Sequence, residues 1–152
     1  MKKIFIYYSS TGNGDLVSKY LEKEYDIRKV NTLEPLPKSY FFSILIGGYK
    51  AMRNYKDKLD NFDSDISSYD EVLIGSPIWN DRLCSVINSV LEKIDLTNKK
   101  VGFVLYSGSG KAGKASKLIN EKYKTVPIIL KEPKKNKDEL KKLEVLLWKK
   151  NY

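Results

Sequence analysis

The chain has no histidine in 152 residues and a single cysteine, Cys84. Those two scarcities exclude Ser-His-Asp and Cys-His nucleophilic machinery. They also exclude the common Cys/His zinc sites and any intramolecular disulfide. No apolar run approaches the roughly 18 residues of a membrane span. Ile4 to Tyr8, after Met1-Lys2-Lys3, is too short for a secretory core, and no small-residue cleavage pattern follows it. The expectation is a cytoplasmic protein with no membrane partner. Acidic charge is also in short supply, with 19 Asp and Glu against 28 Lys and Arg, a formal net charge of +9. The lysines are scattered, and the one dense cluster (Lys134, Lys135, Lys137, Lys141, Lys142) is interrupted by Glu132, Asp138, Glu139 and Glu144. That stretch reads as a solvated helix face, not a nucleic-acid platform. What survives is carboxylate or lysine chemistry, oxygen-ligated metals, or a cofactor that brings its own reactivity.

What is present is an alternation of strands and helices. Lys3–Tyr8 is a near-continuous apolar run, as in a strand buried on both faces. Leu16, Val17, Tyr20 and Leu21 follow at helical spacing. Asp26–Asn31 can form a second, shorter strand, and Ser39–Arg53 a helix, either continuous or broken at Gly47-Gly48. The third strand is Val72–Ile74, ending in Gly75-Ser76-Pro77, and an amphipathic helix carries Leu83, Val86, Ile87, Val90, Leu91 and Ile94. Val101–Tyr106, a helix over Lys114–Tyr123, a fifth strand Val126–Leu130 and a last helix from Lys137 to Lys149 complete the chain. The pattern predicts one α/β domain over residues 1–152, an open three-layer sandwich around a five-stranded parallel sheet.

Such sheets bind ligands beyond the carboxyl ends of their strands. Three of those ends are polar or glycine-rich: Ser9-Ser10-Thr11-Gly12-Asn13-Gly14, Pro77-Ile78-Trp79-Asn80-Asp81 and Ser107-Gly108-Ser109-Gly110. In the first, the unpaired amides of a helix start can hold an anion, with hydroxyls of Ser9, Ser10 and Thr11 as further donors. An ordinary helix cap is the bland reading, but seven consecutive small or polar residues, 9–15, exceed what a cap requires. No lysine or arginine lies in this loop, so an anion there is expected to be held by dipoles rather than by a cation. Gly108 to Ala115 imitates a P-loop up to its last position, where alanine replaces the magnesium-binding Ser or Thr.

Residues 9–14 resemble the flavodoxin phosphate loop, Ser/Thr-x-Thr-Gly-x-Thr, in the usual place after the first strand. The length, the alternation and the other two loops are similar too, so the resemblance spans the chain. It implies a flavodoxin-like sheet of order 2-1-3-4-5 and FMN as cofactor, its phosphate held by Ser9, Thr11, Gly12 and Asn13. Gly14 departs from the family's threonine and loses one hydroxyl contact. Trp79, which alone would read as core filler, becomes a candidate for stacking on the flavin. The resemblance further implies a peptide in the second loop that turns on reduction, placed at Asn80-Asp81 because positive φ is needed there. Ser107 to Gly110 would contact the pyrimidine edge, and Tyr106 lies near the ring or is structural. Cys84 reads as a small buried apolar residue.

The function so implied is electron transfer through FMN semiquinone and hydroquinone, with no catalytic side chain. The basic charge implies a raised hydroquinone potential and a redox partner with an acidic surface. Two alternatives stay open: an NAD(P)H-dependent flavin or quinone reductase with Lys111 and Lys114 attracting the nucleotide, and a cofactor-free interaction module.

Overall fold

The structure is a computed structural model that describes residues 1–147. Five parallel strands form the sheet: β1 (Lys3–Tyr7), β2 (Asp26–Lys29), β3 (Glu71–Trp79), β5 (Lys100–Ser107) and β6 (Ile128–Lys131). A two-residue strand, β4 (Arg82–Leu83), hangs from the end of β3. The spatial order is β2-β1-β3-β5-β6, so the parallel strands alone follow the expected 2-1-3-4-5.

The apolar strands bury both faces because their side chains alternate. Ile4, Ile6, Val72, Ile74, Phe103 and Leu105 point into one layer, where they meet α3 (Ser85–Lys93) and α4 (Gly113–Tyr123). Phe5, Tyr7, Leu73, Val104 and Tyr106 point into the other, against Val17 and Leu21 of α1 (Asn13–Leu21) and against Leu143. α2 (Tyr40–Met52) joins the first layer through Gly47 and Ala51, and the segment after it is latched by Lys50 to the buried Asp57 at 3.3 Å.

Four details go beyond the sequence pattern or depart from it. The third strand does not stop at Ile74 but runs on through Gly75-Ser76-Pro77 to Trp79. Pro77 is tolerated because pairing with β1 ends at Tyr7↔Gly75, so its missing N–H faces no ladder. A short antiparallel strand, β4, then folds back on that extension and adds to the five parallel strands. α2 is not broken at Gly47-Gly48, because those residues are its packing surface. The last helix starts as a 3₁₀ segment over Lys137–Leu143 and becomes α-helix, α5, only over Glu144–Leu147. Side chains tie that segment to β6, with Lys131 N donating to Glu139 at 2.9 Å and Asn136 donating to the Lys131 carbonyl at 3.1 Å. The part expected beyond residue 147 lies outside the described residues.

Candidate functional site

β1, β3 and β5 are neighbours, so their carboxyl ends bring the three loops to one edge. The first loop is organised around one hydroxyl. Ser9 Oγ accepts from the amides of Gly12 (3.1 Å) and Gly14 (3.0 Å), folding the chain into α1. Gly12, at φ 96°, is the residue before the helix, a left-handed conformation that favours glycine. Among the described residues the amides of Thr11 and Asn13 meet no acceptor, which leaves donors for an incoming anion.

The loop itself carries no cation, but one reaches it from elsewhere in the chain. Lys134, 123 positions from Thr11, arrives from the turn after β6 and lies across Gly12. Its ammonium donates to the Thr11 carbonyl at 3.2 Å, and its backbone N–H donates to Asn13 Oδ1 at 3.0 Å. Sequence distance hid it, and the lysine cluster read as a solvated face gave no sign of which member would turn inward. Behind the loop, Tyr7 donates to Asp15 at 2.7 Å and Lys29 pairs with Asp15 at 2.8 Å.

Gly14 is buried, and the reason is Tyr106. A Cβ there would lie 2.5 Å from the Tyr106 hydroxyl and 2.8 Å from the Tyr7 ring. Tyr106 itself is buried and donates to the Tyr8 carbonyl. Of its two readings the structural one holds. Its side chain occupies the space a side chain at position 14 would need.

The second loop is a tight hairpin. Ile78 pairs with Leu83 and Trp79 with Arg82, joined by Asn80 (φ 49°) and Asp81 (φ 63°). Both turn residues are left-handed, the geometry of a two-residue β-hairpin and one that Asn and Asp tolerate. Trp79 is not a free platform. Its indole packs against Gly47 of α2, where a Cβ would come within 3.2 Å, and meets Tyr8 edge-on at 6.2 Å. Pro77 is buried in the sheet, while Ile78 keeps part of its surface exposed.

In the third loop, Ser107 donates to the Lys111 carbonyl at 2.6 Å, Gly110 is left-handed at φ 78°, and Gly108 and Ser109 are exposed. The P-loop look-alike that follows has no free helix start. Asp81 accepts from the Lys114 amide through Oδ2 (3.0 Å) and from the Ala115 amide through its carbonyl (3.0 Å). Cys84 is fully buried beside Ser76, and burial pushes its thiol up to about 12.

A cavity of about 400 Å³ opens beside the first loop, walled by Tyr8 and Ser9 to Thr11 on one side and by Pro35 to Lys38, Tyr40 and Ser43 on the other. Along the sequence, residues 35–40 show only prolines before a helix start, and nothing local marks them as a wall.

Residues 51–152, two of the three loops among them, match the family described as Flavodoxin. The chain belongs to the flavodoxin family. No curated protein matches this flavodoxin-family chain. Among solved structures it is similar to a candidate flavoprotein from Bacteroides eggerthii DSM 20697, 22% identical, with TM-score 0.71 over 96% of this chain and 98% of that one. A flavoprotein in complex with FMN from Lactobacillus acidophilus NCFM is 21% identical, with TM-score 0.64 over 90% and 97%. Oxidised Flavodoxin 1 from Bacillus cereus is 16% identical, with TM-score 0.52 over 97% and 99%. These likenesses extend the flavodoxin fold over the described residues, including the first loop outside the family match.

Proposed function

We propose that this protein binds FMN at the carboxyl edge of β1, β3 and β5 and works as an electron carrier. The observation that supports it most is the Ser9-centred cradle, with the Thr11 and Asn13 amides unpaired and the Lys134 ammonium beside them. That donor set fits a phosphate monoester. Bound FMN would supply one- and two-electron transfer. The chain's own part is to hold the phosphate at residues 9–14, to wall the ring with Tyr8, Trp79 and the 35–43 segment, and to face it with the Asn80-Asp81 turn. A family neighbour in complex with FMN adds support. The absence of histidine fits a protein whose side chains move no proton in the reaction. With a net charge of +9, the partner we propose presents an acidic surface.

The test is a titration of the purified chain with FMN and with riboflavin, followed by visible absorption. The expected outcome is a shifted flavin spectrum with FMN at micromolar concentration and binding of riboflavin weaker by at least about tenfold, since it lacks the phosphate. No spectral change with either flavin would leave the interaction module as the better reading. Rapid bleaching of bound FMN by NADPH alone would move the assignment from carrier to reductase.

A further inference from the structure

α2 is turned inside out. Gly47 and Ala51 are its buried residues, while its large apolar side chains face outward: Tyr40 is 80% exposed, Phe41 64%, Phe42 55%, Ile44 55%, Leu45 52% and Tyr49 57%. α3 does the reverse and buries Val86, Ile87 and Val90 completely. At 3.6 residues per turn the outward apolar positions sweep roughly two-thirds of the circumference. The result is a ridge rather than a stripe. The basic residues stand at its two ends. Lys38 precedes the helix and Arg53 follows it, both exposed and neither in an ion pair among the described residues. From 35 to 56 the chain has no acidic residue.

We infer that α2 is a peripheral docking element for an anionic lipid surface. An exposed apolar patch of this extent marks an interaction site. A helix with aromatic and aliphatic side chains in the acyl boundary and cations at the headgroups is how proteins lie in a membrane interface. Charge decides against a second copy of the chain. A parallel or antiparallel pairing of two α2 helices would set Lys38 or Arg53 against a like charge, with no carboxylate in the segment to relieve it. Shape decides against a protein groove, since a groove takes one face of a helix and leaves the rest of this ridge in water. Lipid flows around it. A surface helix needs no apolar run long enough to span a bilayer. Among the described residues no helix is long and apolar enough to cross a membrane.

The test is flotation of the purified full chain with vesicles of phosphatidylglycerol and phosphatidylcholine in equal parts, and with phosphatidylcholine alone, at 0.1 and 0.5 M salt. Light scattering of the lipid-free protein runs in parallel. The expected results are a monomer without lipid, at least tenfold more protein on the anionic vesicles, and a several-fold loss at high salt. Phe41→Ser with Leu45→Ser should abolish flotation, and Lys38→Glu with Arg53→Glu should reduce it several-fold. All four side chains are exposed, so the thermal transition should be kept in both variants. The inference is overturned if the wild-type monomer stays off anionic vesicles, if flotation survives both pairs of substitutions, or if the lipid-free chain is a dimer that Phe41→Ser with Leu45→Ser disperses.

Discussion

At position 14 the chain has no room for a side chain, and this reverses the meaning of an apparent defect. Read along the sequence, Gly14 is a lost hydroxyl in a phosphate loop. In the fold it is the partner of Tyr106, whose hydroxyl lies 2.5 Å from where a Cβ would be. Gly14→Ala should therefore cost about 1–3 kcal/mol in urea unfolding, the usual penalty for overpacking. In a Tyr106→Phe background the same change should cost less, since the nearest clashing atom is gone. Equal costs in the two backgrounds would show that Tyr106 does not set the residue at 14. Lys134 is the second residue whose role appears only in the fold. Lys134→Ala should weaken FMN binding by roughly three- to tenfold at low salt. The difference should shrink at 0.5 M salt, because this lysine is exposed and screened. Titrations at the two ionic strengths measure both.

Among the elements, the hairpin from Ile78 to Leu83 links two parts of the molecule. Its turn is left-handed at both Asn80 and Asp81, and Asp81 also caps α4 through its carboxylate and its carbonyl. Asp81→Ala loses the side-chain cap and strains the turn, so about 1–2 kcal/mol of stability should disappear. Asp81→Asn keeps an accepting oxygen and tolerance of positive φ, and should lose only a few tenths. Thermal melts of the two variants separate the cases, and equal losses would mean the cap contributes little. The same hydrogen bonds dispose of the P-loop look-alike at 108–115 on physical grounds. Two amides at its helix start, those of Lys114 and Ala115, already serve Asp81. α2 makes the complementary point, since its glycines are not breaks but the surface by which it seats against Trp79.

Across the whole molecule, the response to pH follows from the inventory of titratable groups. Without histidine, stability should be flat between pH 6 and 8. Above that range it should fall. Burial pushes the Cys84 thiol from 9.0 to about 12 and the Tyr7 and Tyr8 phenols from 10.0 to about 12. Burial also raises Tyr106 and Tyr25, the latter helped by Glu71, to which it donates. A raised folded-state value means the protonated form is the one the fold holds. Its contribution is complete below the unfolded-state value and is lost as pH climbs through the folded one. The loss should run from about pH 9 to 12, on the order of one to three kcal/mol per group and less at Tyr7, where solvent screens part of the effect. Melting temperatures across pH 6 to 12 test this, and a flat profile to pH 12 would contradict it.

Periodicity and loop chemistry are local, so the sequence alone carried the alternation of strands and helices and the three loops at Ser9, Pro77 and Ser107. The resemblance carried by residues 9–14 added the sheet order and the cofactor. The tertiary structure decided what depends on residues distant in the chain. Lys134 meets Gly12 only because β6 lies at the sheet edge and its following turn doubles back. Trp79 belongs to a strand rather than a loop because β4 folds onto β3 beyond the end of β1. The segment after Asn136 tightens to 3₁₀ because Glu139 and Asn136 bind the backbone of β6. Ser39–Arg53 was readable as helix from its composition. Which of its faces would be buried was not, because a helix apolar on most sides carries no stripe to orient it, and only the close fit of Gly47 to Trp79 chose the side.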